Sequence, residues 1–296
     1  MTTVGFIGLG NMGRPMAANL VKAGFTVAGY DIFAGARDGA ASDGVTIADA
    51  VADAAQDADV VVTMLRSGSE VLDVFATLAT AVKPGTLLID CSTIDVESAR
   101  KLHVTAKAAG ALALDAPVSG GTGGAKAATL TFMAGGTAEA FQRAEPVLSR
   151  MGKRLVHCGD AGAGQAAKIC NNMILGISMI GVAEAFVLAE KLGLSHQALF
   201  DVASTSSGQC WSITSYCPVP GPVPASPANT GYKPGFTAAL MLKDLLLSQE
   251  AARATGAVTP LGAEATQLYA LFDKLGHGGM DFSGIIQMFR ESVGTK

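Results

Sequence analysis

Phe6-Ile7-Gly8-Leu9-Gly10-Asn11-Met12-Gly13 decides how this chain folds. An apolar run at 4–7 precedes the glycines and reads as a strand. Arg14-Pro15-Met16-Ala17-Ala18-Asn19-Leu20-Val21-Lys22-Ala23-Gly24 follows them and reads as a helix with a glycine stop. Between a strand and a helix the three glycines have separate tasks. Gly8 turns the chain tightly, Gly10 lets main chain approach a pyrophosphate, and Gly13 lets helix and strand pack closely. The free N–H groups and positive dipole end of the helix then face the phosphates. The turn from Gly8 to Gly13, with Leu9, Asn11 and Met12, is therefore expected to hold a dinucleotide.

A second strand at 26–30 ends at Asp31, 18 residues beyond Gly13. A carboxylate there accepts the hydroxyls of an adenosine ribose and repels a 2′-phosphate. The residues that follow at once, Ile32-Phe33-Ala34, supply no arginine, so NAD is expected rather than NADP. Further apolar runs at 60–65, 86–90, 111–114, 130–133 and 154–157 alternate with helical segments. One of these, Asp95-Val96-Glu97-Ser98-Ala99-Arg100-Lys101-Leu102-His103, begins acidic and turns basic, in agreement with the helix dipole. Continuously apolar strands belong to parallel sheets covered on both faces. Residues 1–163 are thus expected to form an α/β Rossmann-like domain with a mostly parallel, doubly wound sheet. Ligands gather outside the carboxyl ends of such strands, which adds Met64, Leu65 and Thr93 to the expected cofactor contacts.

After Gly164 the strand signals stop. Residues 165–193, 195–206, 236–255, 260–275 and 281–290 read as helix, which predicts an all-helical second domain over 164–296. The segment 217–235 interrupts them and holds six of the chain's 11 prolines. It is expected to be a stiff, extended loop covering a cleft.

Lys168 and Asn172 fall one turn apart at the start of the most apolar helix, on a stripe continued by Gly176, Met179 and Ala183. Burying an ammonium without a partner is costly. The usual responses are pairing or a lowered pKa, and the second suits a lysine to acid/base work near neutrality. The residues alone leave a core ion pair and a catalytic lysine equally open. Gly176 costs a helix about 1 kcal/mol relative to alanine, so a ligand or another helix must approach closely there. Ser119-Gly120-Gly121, just past a strand end, reads either as an anion-binding turn or as a plain flexible one.

Composition narrows the function classes. The 296 residues are 49% hydrophobic and 16% charged with a net charge of −4, which describes a well-packed, two-domain protein. No basic cluster is present, so neither nucleic acid nor an anionic membrane is an expected partner. Glu184 interrupts the apolar run 173–189, which argues against a membrane span. Five cysteines with no Cys-x-x-Cys pair give neither a disulfide framework nor a metal site and imply a reducing compartment, expected to be the cytoplasm, with an already processed organellar form as the alternative. The start, Met1-Thr2-Thr3-Val4, lacks the marks of a secretory or transit leader. The four histidines share no metal-ligand spacing, and no metal is expected.

Five motifs then occur in order: Gly8 to Gly13 with Met16-Ala17-Ala18-Asn19-Leu20, Asp115-Ala116-Pro117-Val118-Ser119-Gly120-Gly121, the segment from Gly159 to Asn172, Ser206-Ser207-Gly208 with Trp211, and Lys243-Asp244-Leu245. In these the chain resembles, along nearly its whole length, the β-hydroxyacid dehydrogenase family, most closely the members that oxidise 3-hydroxyisobutyrate in valine breakdown. The resemblance implies that Ser119, Gly120 and Gly121 hold a substrate carboxylate and that Lys168 is the catalytic acid/base. It implies further that Asn172 orients the substrate, that Lys243 lies beside nicotinamide and substrate, and that the protein is a homodimer or homotetramer. Trp211 is expected at the pocket wall. Reductases of succinic, glyoxylic or tartronic semialdehyde share these motifs and are the alternative. A noncatalytic NAD-binding scaffold is the reading from another class. The chain departs from the family at Arg66, where relatives often carry proline, which bears on the Leu65 contact.

Overall fold

Every residue of Val60–Thr63 and of Leu87–Asp90 is buried, which requires cover on both faces of the sheet they form. The computed structural model describes residues 2–291 and divides into two units, Met1–Lys168 and Ile169–Lys296. The expected boundary at 163/164 coincides with the start of the helix Ala163–Lys191. The units part inside that helix, at 168/169.

The first unit contains β1 (Thr3–Ile7), β2 (Thr26–Tyr30), β3 (Thr46–Ile47), β4 (Val60–Thr63), β5 (Leu87–Asp90), β6 (Leu112–Asp115), β7 (Val118–Ser119), β8 (Leu130–Gly135) and β9 (Gly152–Gly159). They pair in one sheet in the order β3-β2-β1-β4-β5-β6-β8-β7, with β9 beside β8. All neighbours from β3 to β6 are parallel. β8 runs antiparallel to both β6 and β7, in one register: Asp115 faces Gly135, Val118 faces Phe132 and Ser119 faces Thr131. β6 and β7 thus behave as one strand broken at Ala116-Pro117, where proline has no N–H to give the ladder. The two-residue strands β3 and β7 carry no run long enough to be read from sequence.

Alternate residues of the central strands face two cores. Val62, Leu87 and Ile89 join Phe6, Met16 and Leu20 on one face. Val61 and Leu88 join Ile7, Phe75, Leu78 and Leu102 on the other. The helix Gly13–Lys22 covers the first face, and the helices Gly68–Ala81 and Val96–Ala108 cover the second. The sheet is doubly wound, and strand order reverses where β1 lies between β2 and β4, the crevice at which such folds take ligands.

The second unit is helical. Met179, Ala183 and Phe186 of the long helix pack with Met241 and Leu245 of Ala238–Thr255 and with Tyr269 and Phe272 of Pro260–Phe272. The long helix is apolar enough to cross a membrane by length and composition, yet these side chains lie in the core. The proline-rich segment differs from its expectation. Cys217, Val219, Val223, Ala228 and Tyr232 are buried in the same core, and a 3₁₀ turn forms at Pro227–Thr230. Ser226 donates to the Cys217 carbonyl at 2.5 Å, Tyr232 to that of Pro218 at 2.9 Å, and Asn229 to that of Val223 at 2.8 Å. The segment is a loop folded on its own side chains rather than an extended strap, because its alternate valines have a core to enter.

Candidate active site

β1 delivers the glycine turn. Gly8 lies at φ +96°, and a Cβ there would overlap the Met64 carbonyl oxygen, while one on Gly13 would overlap the Gly8 carbonyl oxygen. Gly10 differs, since no atom of the described residues stands within 4 Å of where its Cβ would be. Packing within the protein accounts for Gly8 and Gly13, and Gly10 presents bare main chain outward. The helix Gly13–Lys22 begins at Met12 with no side-chain cap, whereas Ser67, Asp95 and Thr137 cap three other helices of this unit. A terminus left without a cap at a strand end offers its N–H groups to phosphate oxygens. These residues fit a dinucleotide pyrophosphate.

Asp31 follows β2 directly and is buried. Its Oδ2 accepts the Leu9 N–H at 2.7 Å and its Oδ1 the Phe33 N–H at 2.8 Å, and each carboxylate oxygen keeps capacity for a ribose hydroxyl. The Leu9 side chain is core, so Leu9 reaches this edge by main chain alone. Arg37 donates to the Asp31 carbonyl at 2.6 Å. The sequence reading stopped at Ala34 and missed this arginine, which the helix Ala34–Ser42 turns back towards the strand end.

Beyond β4 and β5 the chain builds a buried polar cluster. Thr63, Asp90 and Ser92 are fully buried. Asp90 Oδ1 accepts the Thr63 hydroxyl at 2.7 Å, the Ser92 hydroxyl at 2.6 Å and the Ser92 N–H at 3.2 Å. Asp90 Oδ2 has no hydrogen-bond partner among the described residues. Burial pushes the Asp90 carboxyl up to about 6, against the opposing pull of its Ser92 and Thr63 donors, and Asp115 adds to the rise. The Ser92 hydroxyl also accepts the Leu65 N–H at 2.8 Å. With that N–H engaged, a cofactor contact at Leu65 falls to its carbonyl oxygen. Arg66 turns away into an ion pair with Glu70 at 2.6 Å. Met64 and Thr93 are both half-buried.

Ser119 ends β7 and is half-buried. Gly120 and Gly121, at φ +132° and +59°, carry the chain into the short helix Gly121–Ala127. Lys168 is 6% exposed and lies in the second turn of the long helix. The first turn of that helix is fastened to the sheet. Asp115, at the end of β6, accepts the Gly162 N–H at 2.8 Å and the Gln165 N–H at 3.0 Å, with His103 Nε2 2.9 Å from its Oδ1.

In the second unit Asn172 is buried. Its amide donates to Asp244 Oδ2 at 2.5 Å, and its carbonyl oxygen accepts from Asn171 at 2.9 Å, so both ends of the amide are fixed. Lys243 Nζ stands 4.0 Å from the Asp244 carboxylate. Asp244, which the sequence does not single out as a site residue, is thus the acceptor that fixes Asn172. Trp211 is 51% exposed and stacks on Tyr216 at 4.8 Å, which stacks on Phe282 at 5.3 Å. Gly176 is explained by packing: a Cβ there would stand 3.0 Å from a Leu245 methyl and 3.3 Å from the Met241 sulfur. Another helix, rather than a ligand, occupies that room. Among the described residues no group of histidine, cysteine and acidic side chains could hold a metal.

Comparison with known proteins gives this geometry its setting. A family model described as the NAD binding domain of 6-phosphogluconate dehydrogenase matches residues 3–159. One described as NAD-binding of NADP-dependent 3-hydroxyisobutyrate dehydrogenase matches residues 162–289. A probable 3-hydroxyisobutyrate dehydrogenase of Mycobacterium tuberculosis is 54% identical over 290 residues, covering 98% of either chain. The chain belongs to the 3-hydroxyisobutyrate dehydrogenase family. A second member, the NAD-dependent L-serine dehydrogenase of Pseudomonas aeruginosa, is 46% identical over 99% of this chain and 100% of its own. The solved structure of the Mycobacterium tuberculosis 3-hydroxyisobutyrate dehydrogenase with L-serine matches with a TM-score of 0.95, covering 98% of this chain and 99% of that one. As a member of this family the chain is an NAD-dependent hydroxyacid dehydrogenase, with NAD as its cofactor.

Proposed function

We propose that the chain oxidises 3-hydroxyisobutyrate to methylmalonate semialdehyde, the oxidation that belongs to valine breakdown, with Lys168 as acid/base. One observation carries this reading: Lys168 is buried one turn after residues bonded to the end of β6, on the sheet edge that also bears the glycine turn and Leu65. Bound NAD supplies the hydride acceptor. Neutral Lys168 takes the proton of the substrate hydroxyl as hydride leaves the carbon that bears it, and in reverse the protonated amine polarises the aldehyde and then donates. The Ser119 hydroxyl and the N–H groups of Gly120 and Gly121 hold the carboxylate, and Asn172 orients the substrate. A substrate carboxylate held at Ser119 to Gly121 would favour the protonated amine once the hydroxyl proton has been taken. Trp211 bounds the pocket.

L-serine is the second reading, favoured by the Pseudomonas aeruginosa relative and by the ligand named with the Mycobacterium tuberculosis structure. Both substrates carry a primary hydroxyl on the carbon next to the one that bears the carboxylate. They differ at that neighbouring carbon, a methyl against an ammonium. Initial rates of NAD and NADP reduction with both acids, and of the reverse reaction with succinic, glyoxylic and tartronic semialdehydes, discriminate the readings. Reduction of a semialdehyde with NADPH, and no oxidation of any hydroxy acid, would overturn the proposal. Lys168→Ala should abolish turnover and leave the Kd for NAD within about twofold; retained turnover would refute the lysine's role.

A homodimer or homotetramer in a reducing, cytoplasmic setting completes the proposal. Exposed Ile174, Leu188 and Leu192 provide apolar surface for a second copy, and the five cysteines form no disulfide.

A further inference from the structure

Gln165 is fully buried in the first turn of the long helix, and it makes three hydrogen bonds to the sheet edge. Its side-chain N–H donates to the Ser92 carbonyl at 2.7 Å, its side-chain oxygen accepts the Ile94 N–H at 3.1 Å, and its own N–H donates to Asp115 at 3.0 Å. The side chain therefore pairs with main chain on both sides of Thr93, as a neighbouring strand would. Ser92 is in turn bonded through its hydroxyl to the Leu65 N–H and to Asp90. Gly164 seats the turn closely, since a Cβ there would overlap the carbonyl oxygens of Met133 and Asp115.

We infer that Gln165 is a positioning residue: its amide locks the Ser92–Ile94 main chain, which presents Thr93, in fixed register with the helical turn that presents Lys168. This rests on the proposed role of Lys168 as acid/base. Hydride and proton must leave substrate atoms bonded to one another, so a shift of about 1 Å between the two elements is enough to cost on the order of 100-fold in rate. A core leucine could not do this, because it offers neither the donor that the Ser92 carbonyl takes nor the acceptor that the Ile94 N–H takes, which a planar amide or protonated carboxyl presents side by side.

The test is single-turnover hydride transfer in the full-length enzyme with NAD and whichever of 3-hydroxyisobutyrate and L-serine the wild type oxidises faster. Gln165→Leu, Gln165→Glu and Lys168→Ala are compared with wild type from pH 5.5 to 9. Gln165→Leu should be slower by 10- to 100-fold at every pH. Gln165→Glu should be as slow at pH 9, where a carboxylate faces the Ser92 carbonyl, and should recover towards wild type as pH falls and the acid regains the donor. Asp90, Asp115, His103 and Lys168 surround the position and are common to all these proteins; Gln165→Leu, which adds no titrating group, gives the pH dependence they produce by themselves.

Wild-type rates in both Gln165 variants, or an equal pH-independent loss in both, would overturn the inference. Insolubility of both variants would also overturn it, in favour of a folding role alone. An active Lys168→Ala would instead sink the lysine reading, whatever the Gln165 variants do.

Discussion

Replacing Asp90 by asparagine removes a carboxyl that the fold holds in an unusual state. Asp90 is fully buried, three donors converge on Oδ1 and none on Oδ2, and burial raises the acid from its ordinary 3.8 to about 6. The folded protein therefore binds this proton more tightly than the unfolded chain does. Between about pH 4 and pH 6 the folded state holds more protons, so stability falls as pH rises through that window. The full cost is present above it. A shift of this size corresponds to roughly 3 kcal/mol. Asp90→Asn cannot ionise, and its carbonyl oxygen can accept the same three donors; its NH₂ group adds an offset that does not vary with pH. Wild-type stability minus that of the variant should therefore drop by roughly 2 kcal/mol between pH 4 and pH 7, the rest of the cost having appeared below pH 4. Urea unfolding of both proteins without NAD, at half-unit pH steps, measures this, because the titration of other groups cancels in the difference. A difference that stays flat from pH 4 to pH 7 would refute the account of Asp90 as an acid whose ionisation burial delays to about pH 6.

Two further outcomes separate packing from cofactor binding at the first strand end. Gly10→Ala should leave stability within about 1 kcal/mol, because its methyl meets no protein atom. It should nevertheless weaken NAD binding at least tenfold by calorimetry; undiminished affinity would mean that no phosphate approaches there. Gly13→Ala should lower both NAD affinity and the unfolding midpoint, by about 2 kcal/mol or more, since its methyl collides with the Gly8 carbonyl. An unchanged midpoint would contradict the close helix–strand packing. Asp31→Ala should raise the KM for NAD while shifting the NAD to NADP preference at least tenfold towards NADP, with Arg37 left beside the strand end. An unaltered preference in steady-state kinetics would remove Asp31 from ribose recognition.

Those elements were legible in the sequence whose burial is uniform and whose ends are punctuated. Val60, Val61 and Val62, or Leu87, Leu88 and Ile89, admit no reading but a strand covered on both faces, and Gly8 to Gly13 marks where the sheet turns outward. What stayed hidden is what depends on contacts distant in sequence. β7 is two residues long and exists because β8 returns antiparallel beside it. The proline-rich segment was expected to stand off as a cover, since its alternating valines and prolines give no hint that a core lies within reach. Gln165 sat in plain view within the lysine motif, but an amide between a glycine and an alanine announces nothing. Its partners Ser92 and Ile94 are more than 70 residues earlier. Asp244 escaped for the same reason, 72 residues from its partner Asn172; Arg37 lies only six residues from Asp31 and is brought back to it by the first turn of Ala34–Ser42. The Gly176 alternatives could be separated only once Leu245 and Met241 were seen to fill the space.

The stacked rings of Trp211, Tyr216 and Phe282 give the molecule a spectroscopic property. Trp211 is the chain's single tryptophan and is half in water, so light absorbed at 295 nm is emitted from one known place. A change in that emission when a hydroxy acid is added would come from the helical unit alone, free of background from the dinucleotide domain, and needs neither label nor engineered fluorophore.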